Sequence, residues 1–305
     1  MRIIVNGQQA FGKAVLEAML ARGDNVVAVY CAPEKPGQKI DPLKEFAQSK
    51  GLPVHQPASF KTPEVHDQVK ALNPDLGVMA YVTLFVPSTI LNIPKLGTIQ
   101  YHPSLLPRHR GPSSINWPII MGETKTGLTI FWPDDGLDTG PVLLQKTVDI
   151  KENDTLGTLY FDQLFPMGVK AMLEGIDMVK SGNAPRVKQD ESQATYESWC
   201  RKKDGEIIWS KPVAEVHNLI RGCNPQPGAW TKNQGKTVEV YDCVKVAGDG
   251  GAAPGTVTDV SAEGVKVAAQ GGQILIKRVK PEAEAKLGAA DWAAKAGVAK
   301  GAKLG

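Results

Sequence analysis

The opening stretch of the chain alternates short apolar runs with segments of helical periodicity, and this alternation narrows the fold more than any other feature. Residues 2–6 hold a short apolar run, Ile3, Ile4 and Val5. A turn follows at 7–12, and then Val15, Leu16, Met19 and Leu20 recur at helical spacing until Gly23 ends the pattern. Residues 25–30 (NVVAVY) form a second apolar run, 41–50 a second helical segment closed by Gly51, and Val54 a short strand. A helix over 63–72, the run 76–80 (LGVMA), a loop containing Pro87 and a strand over 97–101 continue the series. Apolar runs without polar alternation belong to strands covered on both faces, which is the layout of a parallel sheet with helices packed on it. Two more strands, 127–132 and 142–149, flank a loop at 133–140, and an amphipathic segment over 156–180 restarts at Pro166. The expected class is α/β, a Rossmann-like domain with a mostly parallel sheet.

The polar stretch 181–198, which carries Pro185, reads as a linker. It places domain boundaries at 1–185 and 205–305, with 186–204 between them. Past a helix at 213–221, short β-rich runs at 237–246, 255–260, 265–269 and 273–279 are separated by glycine-rich turns (GDGGAAPG at 248–255, GG at 271–272). That spacing predicts a small OB-like β-barrel. The tail, 283–305, is Ala- and Lys-rich and weakly helical.

Composition removes several classes of function. Thirty-five basic against 32 acidic residues give a net charge of +3, without the concentrated basic face of a DNA-binding protein. No run reaches the roughly 18 apolar residues of a membrane span. The N-terminus reads as a buried strand and not as a secretory signal. Cys31, Cys200, Cys223 and Cys243 stand apart with no C-x-x-C pair, so neither a zinc site nor a dithiol is indicated, and reduced thiols fit a cytoplasmic location.

Three segments carry candidate chemistry. The turn GQQAFG (7–12) lacks the G-x-G-x-x-G spacing, which leaves a tight turn or an anion contact at the following helix N-terminus. Residues 97–117 (GTIQYHPSLLPRHRGPSSINW) place His102 just past a strand, followed by Arg108, His109 and Arg110, with Pro103 and Pro107 stiffening the loop. Loops at the carboxyl ends of parallel strands build ligand crevices. Residues 132–140 (WPDDGLDTG) hold Asp134, Asp135 and Asp138. They are turn formers, without the spacing of a calcium loop, or they include one buried Asp paired with a His as acid–base partners.

SLLPRHRG (104–111) followed by DDGLDTG (134–140) resembles the folate-dependent formyltransferase family. Residues 1–200 look like its catalytic domain. Residues 205–305, with GEIIWSKPVAEVHNLIRGCNPQPGAW (205–230) and PGTV (254–257), look like its OB-like C-terminal domain. YHPSLLPRHRG with INW, and LDTG followed by LLQK and LFPMGVK, is most similar to the hydrolase domain of 10-formyltetrahydrofolate dehydrogenase. Methionyl-tRNA formyltransferases in this family carry Trp at the position of His109 and a longer basic insertion where this chain has only residues 32–46.

The resemblance implies a catalytic trio at Gln100, His102 and Asp138. The family's Asn is replaced by Gln100, which keeps an amide donor but is one methylene longer. His102 and Gln100 would donate to the tetrahedral oxyanion, and Asp138 would orient His102 and water and act as base or relay. It further implies 10-formyltetrahydrofolate as formyl donor and tetrahydrofolate as product, with no metal. The folate would sit against Tyr81, Leu84, Phe85 and Pro87, the motif residues Ser104, Leu105 and Arg110, and Asp134, Asp135 and Gly136. Arg110 would either brace the loop or meet an anionic acceptor. Water is the expected acceptor, so the implied reaction is that of a hydrolase. The alternatives are transfer to methionyl-tRNA or an amino sugar, or a non-catalytic folate-binding protein. A tRNA partner is not favoured, because of the short 32–46 segment and the scattered lysines of the C-terminal part. NADP-dependent oxidation is not expected of this chain alone. The carrier and dehydrogenase parts that it needs would have to come from a separate subunit.

Overall fold

The computed structural model describes residues 1–248 and 251–305; Asp249 and Gly250, within the expected glycine-rich turn 248–255, lie outside the described residues. The chain divides into two compact units. Unit 1 is 1–111, 127–148 and 162–196, and unit 2 is 112–126, 149–161 and 197–305.

Unit 1 is built on a seven-stranded sheet in the order β3-β2-β1-β4-β5-β6-β7. The strands are β1 (Arg2–Gly7), β2 (Asn25–Tyr30), β3 (Val54–His55), β4 (Leu76–Ala80), β5 (Thr98–His102), β6 (Lys125–Phe131) and β7 (Val142–Asp149). The first five pair in parallel, while β6 runs antiparallel to β5. The strand order reverses between β1 and β4, and the crevice at such a switch point is where ligands of doubly wound sheets bind.

The helices α1 (Gln9–Ala21), α2 (Pro42–Ser49), α3 (Pro63–Ala71) and α4 (Ser88–Leu91) connect the first strands, and the helix Phe165–Lys180 packs beside α1. Gly7 is required where β1 ends, because a Cβ there would stand 2.4 Å from the Ala80 carbonyl oxygen. α2 starts at Asp41, whose carboxylate accepts from the Leu43 N–H, with Pro42 in the first turn.

The two faces of β5 have separate duties, because strand side chains alternate. Ile99 and Tyr101 enter the main core, where the Tyr101 ring lies 4.3 Å from that of Phe11 and Gly168 leaves room for both. Burying each such side chain contributes about 1.5–3 kcal/mol. Thr98, Gln100 and His102 face the other way; the Thr98 hydroxyl donates to the Leu91 carbonyl at 2.7 Å. Core packing of the odd-numbered residues therefore fixes the direction in which His102 projects.

Residues 187–196 are where the sequence reading anticipates part of a linker. Here they run along unit 1: Val187 bridges Val142, Arg110 bridges Tyr196, and Gln189 is 5% exposed. Within this stretch Gln189 is buried and hydrogen-bonded, while Lys188, Asp190, Ser192 and Gln193 stay exposed.

Unit 2 holds two four-stranded sheets whose described pairs are all antiparallel. They share a core with Ile207, Trp209, Ile220, Val267 and Trp292. The helix Val213–Gly222 contributes Val216 and Ile220 to that core, and buries His217 and Arg221. Across the described residues, no helix is long and apolar enough to cross a membrane.

Candidate active site

His102 closes β5, opposite Thr129 of β6. Thr129 then organises the loop that follows. Its hydroxyl donates to the Ser104 carbonyl at 2.7 Å and accepts from the Leu106 N–H at 3.1 Å and the Gln145 amide at 2.9 Å. Ser104 donates its own hydroxyl to the Arg108 carbonyl at 2.6 Å, drawing the loop into a tight arc. The arc brings the His109 carbonyl back to the His102 ring, 2.9 Å from Nε2. A carbonyl only accepts, so Nε2 carries the proton and donates it there. The other ring nitrogen, Nδ1, faces Asp138 Oδ2 at 3.6 Å, and both side chains are less than a tenth exposed.

The three carboxylates of the acidic loop have three different tasks. Asp134 stays local, accepting from the Gly136 N–H at 3.0 Å and the Thr139 hydroxyl at 2.6 Å. Asp135 reaches across to the Ser88 N–H at 2.8 Å, which ties this loop to the start of α4, and hydrogen bonds from the Ser88 hydroxyl and then its N–H hold the carboxyl below the usual carboxylate range. Asp138 turns inward at φ 56° and accepts from the Gly111 N–H at 2.9 Å. Gly140 ends the loop because a Cβ there would stand 1.7 Å from the Trp132 carbonyl oxygen.

Other residues expected in a site are spread over this crevice. Gln100 is half-buried on the same strand face as His102. Tyr81 and Phe85 are exposed, at 46% and 52%; Leu84 packs against the smaller core with Val86; Pro87 precedes α4. Ser104 and Leu105 sit within the braced loop, with Leu105 beside Gly127. Arg110, left open between bracing and anion binding, is a brace. It is fully buried, with its guanidinium donating to Gln189, Glu191 and Tyr196. The glycine turn at 7–12 is likewise filled from within, since both Asp41 carboxylate oxygens accept from the Gln9 N–H, at 3.0 and 2.9 Å.

Gln189, Thr129 and Thr195 went unseen in the sequence. A lone amide or hydroxyl in a polar stretch carries no motif, and only the fold shows that it is buried. Among the described residues, no group of three or more His, Cys, Asp or Glu is placed to hold a metal ion.

Residues 1–174 match the family described as Formyl transferase, and residues 200–297 match Formyl transferase, C-terminal domain. The chain belongs to the formyl transferase family. It is 43% identical over 251 residues to the mitochondrial 10-formyltetrahydrofolate dehydrogenase of Mus musculus; the match covers 79% of this chain and 26% of that protein. It is 40% identical over 310 residues to the methionyl-tRNA formyltransferase of Geotalea daltonii, covering 100% of this chain and 98% of that one. The chain thus spans about a quarter of the dehydrogenases that it matches and nearly the whole of the tRNA enzyme.

Two solved structures share the fold at 18% identity. HypX from Aquifex aeolicus, in complex with tetrahydrofolic acid, has a TM-score of 0.69 over 97% of this chain and 47% of its own. The sugar 3N-formyl transferase WlaRD, with dTDP and 5-N-formyl-THF, also has a TM-score of 0.69, over 93% of this chain and 99% of its own.

Proposed function

We propose that this formyl transferase family member cleaves the formyl group from 10-formyltetrahydrofolate, releasing tetrahydrofolate, with water as the acceptor. The observation that carries this reading is the buried His102–Asp138 pair, with the His102 ring held by the His109 carbonyl so that Nδ1 faces the carboxylate at 3.6 Å. Nδ1 and Oδ2 are too far apart for a strong direct hydrogen bond and close enough to share one small nucleophile.

The steps follow from these groups. A water gives one proton to Nδ1 and is held through the other by Asp138 while its oxygen attacks the formyl carbon. The amide of Gln100, on the same strand face, is the donor for the developing oxyanion. The imidazolium formed at His102 is stabilised by the Asp138 carboxylate and returns its proton to N10 as the carbon–nitrogen bond breaks, leaving formic acid and tetrahydrofolate. The folate rests against the loop of Tyr81, Leu84, Phe85 and Pro87 and the loop of Asp134, Asp135 and Gly136. The Asp135–Ser88 hydrogen bond keeps those loops together.

The motif YHPSLLPRHRG and the 43% identity to a 10-formyltetrahydrofolate dehydrogenase support water as acceptor. A second reading, transfer to the amine of methionyl-tRNA, has support in the full-length match to the Geotalea enzyme. An amine nitrogen would then replace water between Nδ1 and Oδ2. The test of the site is tetrahydrofolate formation from 10-formyltetrahydrofolate by the wild type, His102→Ala and Asp138→Ala. Each substitution is expected to lower turnover by about 10²–10⁴ while the chain still folds. Near-normal turnover in either variant would refute the assignment.

A further inference from the structure

We propose that Gln189 is a positioning residue for the His102–Asp138 pair and that Arg110 is its anchor; this deepens the reading above and rests on it. Arg110 sits between two residues that each touch one partner of the pair. The carbonyl of His109, just before it, accepts from His102 Nε2, and the N–H of Gly111, just after it, donates to Asp138 Oδ2. Wherever the Arg110 backbone sits, the pair's separation follows.

Gln189 closes the circuit from the other side. Its Oε1 accepts from Arg110 Nε at 3.2 Å and Nη2 at 2.7 Å. Its Nε2 donates to the carbonyl of Asp138 at 2.9 Å and to that of Gly140 at 2.7 Å. A guanidinium only donates and a carbonyl only accepts, so the amide has a single orientation with every hydrogen-bonding capacity used. One side chain, 5% exposed, therefore ties the loop of the histidine to the backbone of the aspartate.

The tie matters because both ends are held in an unfavourable backbone region: His109 and Asp138 each have φ near 56°, a region that non-glycine residues keep only when their surroundings enforce it. Thr195 completes the enforcement, accepting from the His109 N–H through its hydroxyl at 2.8 Å and from the Arg110 N–H through its carbonyl at 3.0 Å. Glu191 supplies the charge that lets Arg110 stay buried, pairing with Nη2 at 2.7 Å.

The test uses Gln189→Leu, which removes all four bonds at similar volume, and Gln189→Glu. The glutamate still accepts from Arg110 but turns its second oxygen against two carbonyls. Both are expected to lower kcat about 10- to 100-fold, because misplacement of a reacting pair is costly, with KM for the folate within about threefold. Asp190→Ala removes only local bonds, to the Ser192 N–H and hydroxyl and to the Gln193 amide, and is expected to stay within about twofold of wild type in kcat.

A readout independent of turnover comes from ¹⁵N-histidine NMR, with the His102 ring signals assigned by their loss in His102→Ala. Wild type is expected to show a single ring state protonated at Nε2, and both Gln189 variants shifted or doubled His102 nitrogens. Unmoved His102 nitrogens, or a kcat no lower than that of Asp190→Ala, would overturn the positioning role. Full turnover in His102→Ala would instead overturn the functional reading, and the NMR comparison would still decide whether Gln189 sets the pair.

Discussion

Asp138→Asn isolates the charge of the proposed pair from its shape. Asparagine has the same outline, and its amide oxygen can still accept from the Gly111 N–H, which Asp138 Oδ2 accepts at 2.9 Å. What disappears is the negative charge 3.6 Å from His102 Nδ1. With an effective dielectric of about 20, two unit charges at that separation attract by about 4–5 kcal/mol. Both groups are nearly buried, so solvent takes little of that away, while the amide dipole of asparagine returns part of it. A net loss of about 3–4 kcal/mol in stabilising the imidazolium corresponds to a kcat about 10²–10³-fold lower. The assay is the initial rate of tetrahydrofolate formation at saturating 10-formyltetrahydrofolate, with the melting temperature measured in parallel. A kcat within threefold of wild type in a normally folded protein would refute the role of the charge. So would a rate loss that only tracks a lowered melting temperature, with the folded fraction of Asp138→Asn turning over at the wild-type rate.

Two further outcomes concern other residues. His217 in unit 2 is 2% exposed, and burial first, then Arg221 and Lys245, push its pKa down to about 4. In the unfolded chain it protonates near 6.5, so the unfolded state binds more protons in between and stability falls as pH drops through that window. At pH 5 the loss relative to pH 8 is about 2 kcal/mol, read as the difference in urea unfolding between wild type and His217→Gln; equal pH dependence in the two would refute it. Gln100→Asn shortens the proposed oxyanion donor by one methylene. It is expected to raise formyl transfer to charged initiator tRNA relative to hydrolysis, and an unchanged ratio would count against reach as the determinant of the acceptor.

The parts legible in the sequence are those with a period or a motif. The alternation of apolar runs and helical segments specifies strands β1, β2, β4 and β5, and it places His102 at a strand end before any contact is known. The direction of β6 is not legible, because a strand buried on both faces reads the same whether parallel or antiparallel. The spacing of the acidic loop cannot rank its three carboxylates; only the family resemblance singles out Asp138. Asp138 differs from Asp134 and Asp135 only in where the backbone turns at φ 56°. Residues 187–196 mislead in the opposite sense. Gln189, Glu191 and Tyr196 look like solvated linker, yet their side chains serve as partners for a buried guanidinium, and burial of a polar side chain is a tertiary fact. The crossings of the chain between units, at 112–126 and 149–161, are invisible for the same reason.

Delivery of the formyl group to water has its own signature in the products. The most direct measurement follows tetrahydrofolate and formate from 10-formyltetrahydrofolate, first with no acceptor and then with charged initiator methionyl-tRNA. Tetrahydrofolate and formate formed in equal amounts without acceptor, at a rate the tRNA does not raise, is the predicted result. Turnover that appears only when the aminoacylated tRNA is added, with the formyl group recovered on its amine, would contradict it.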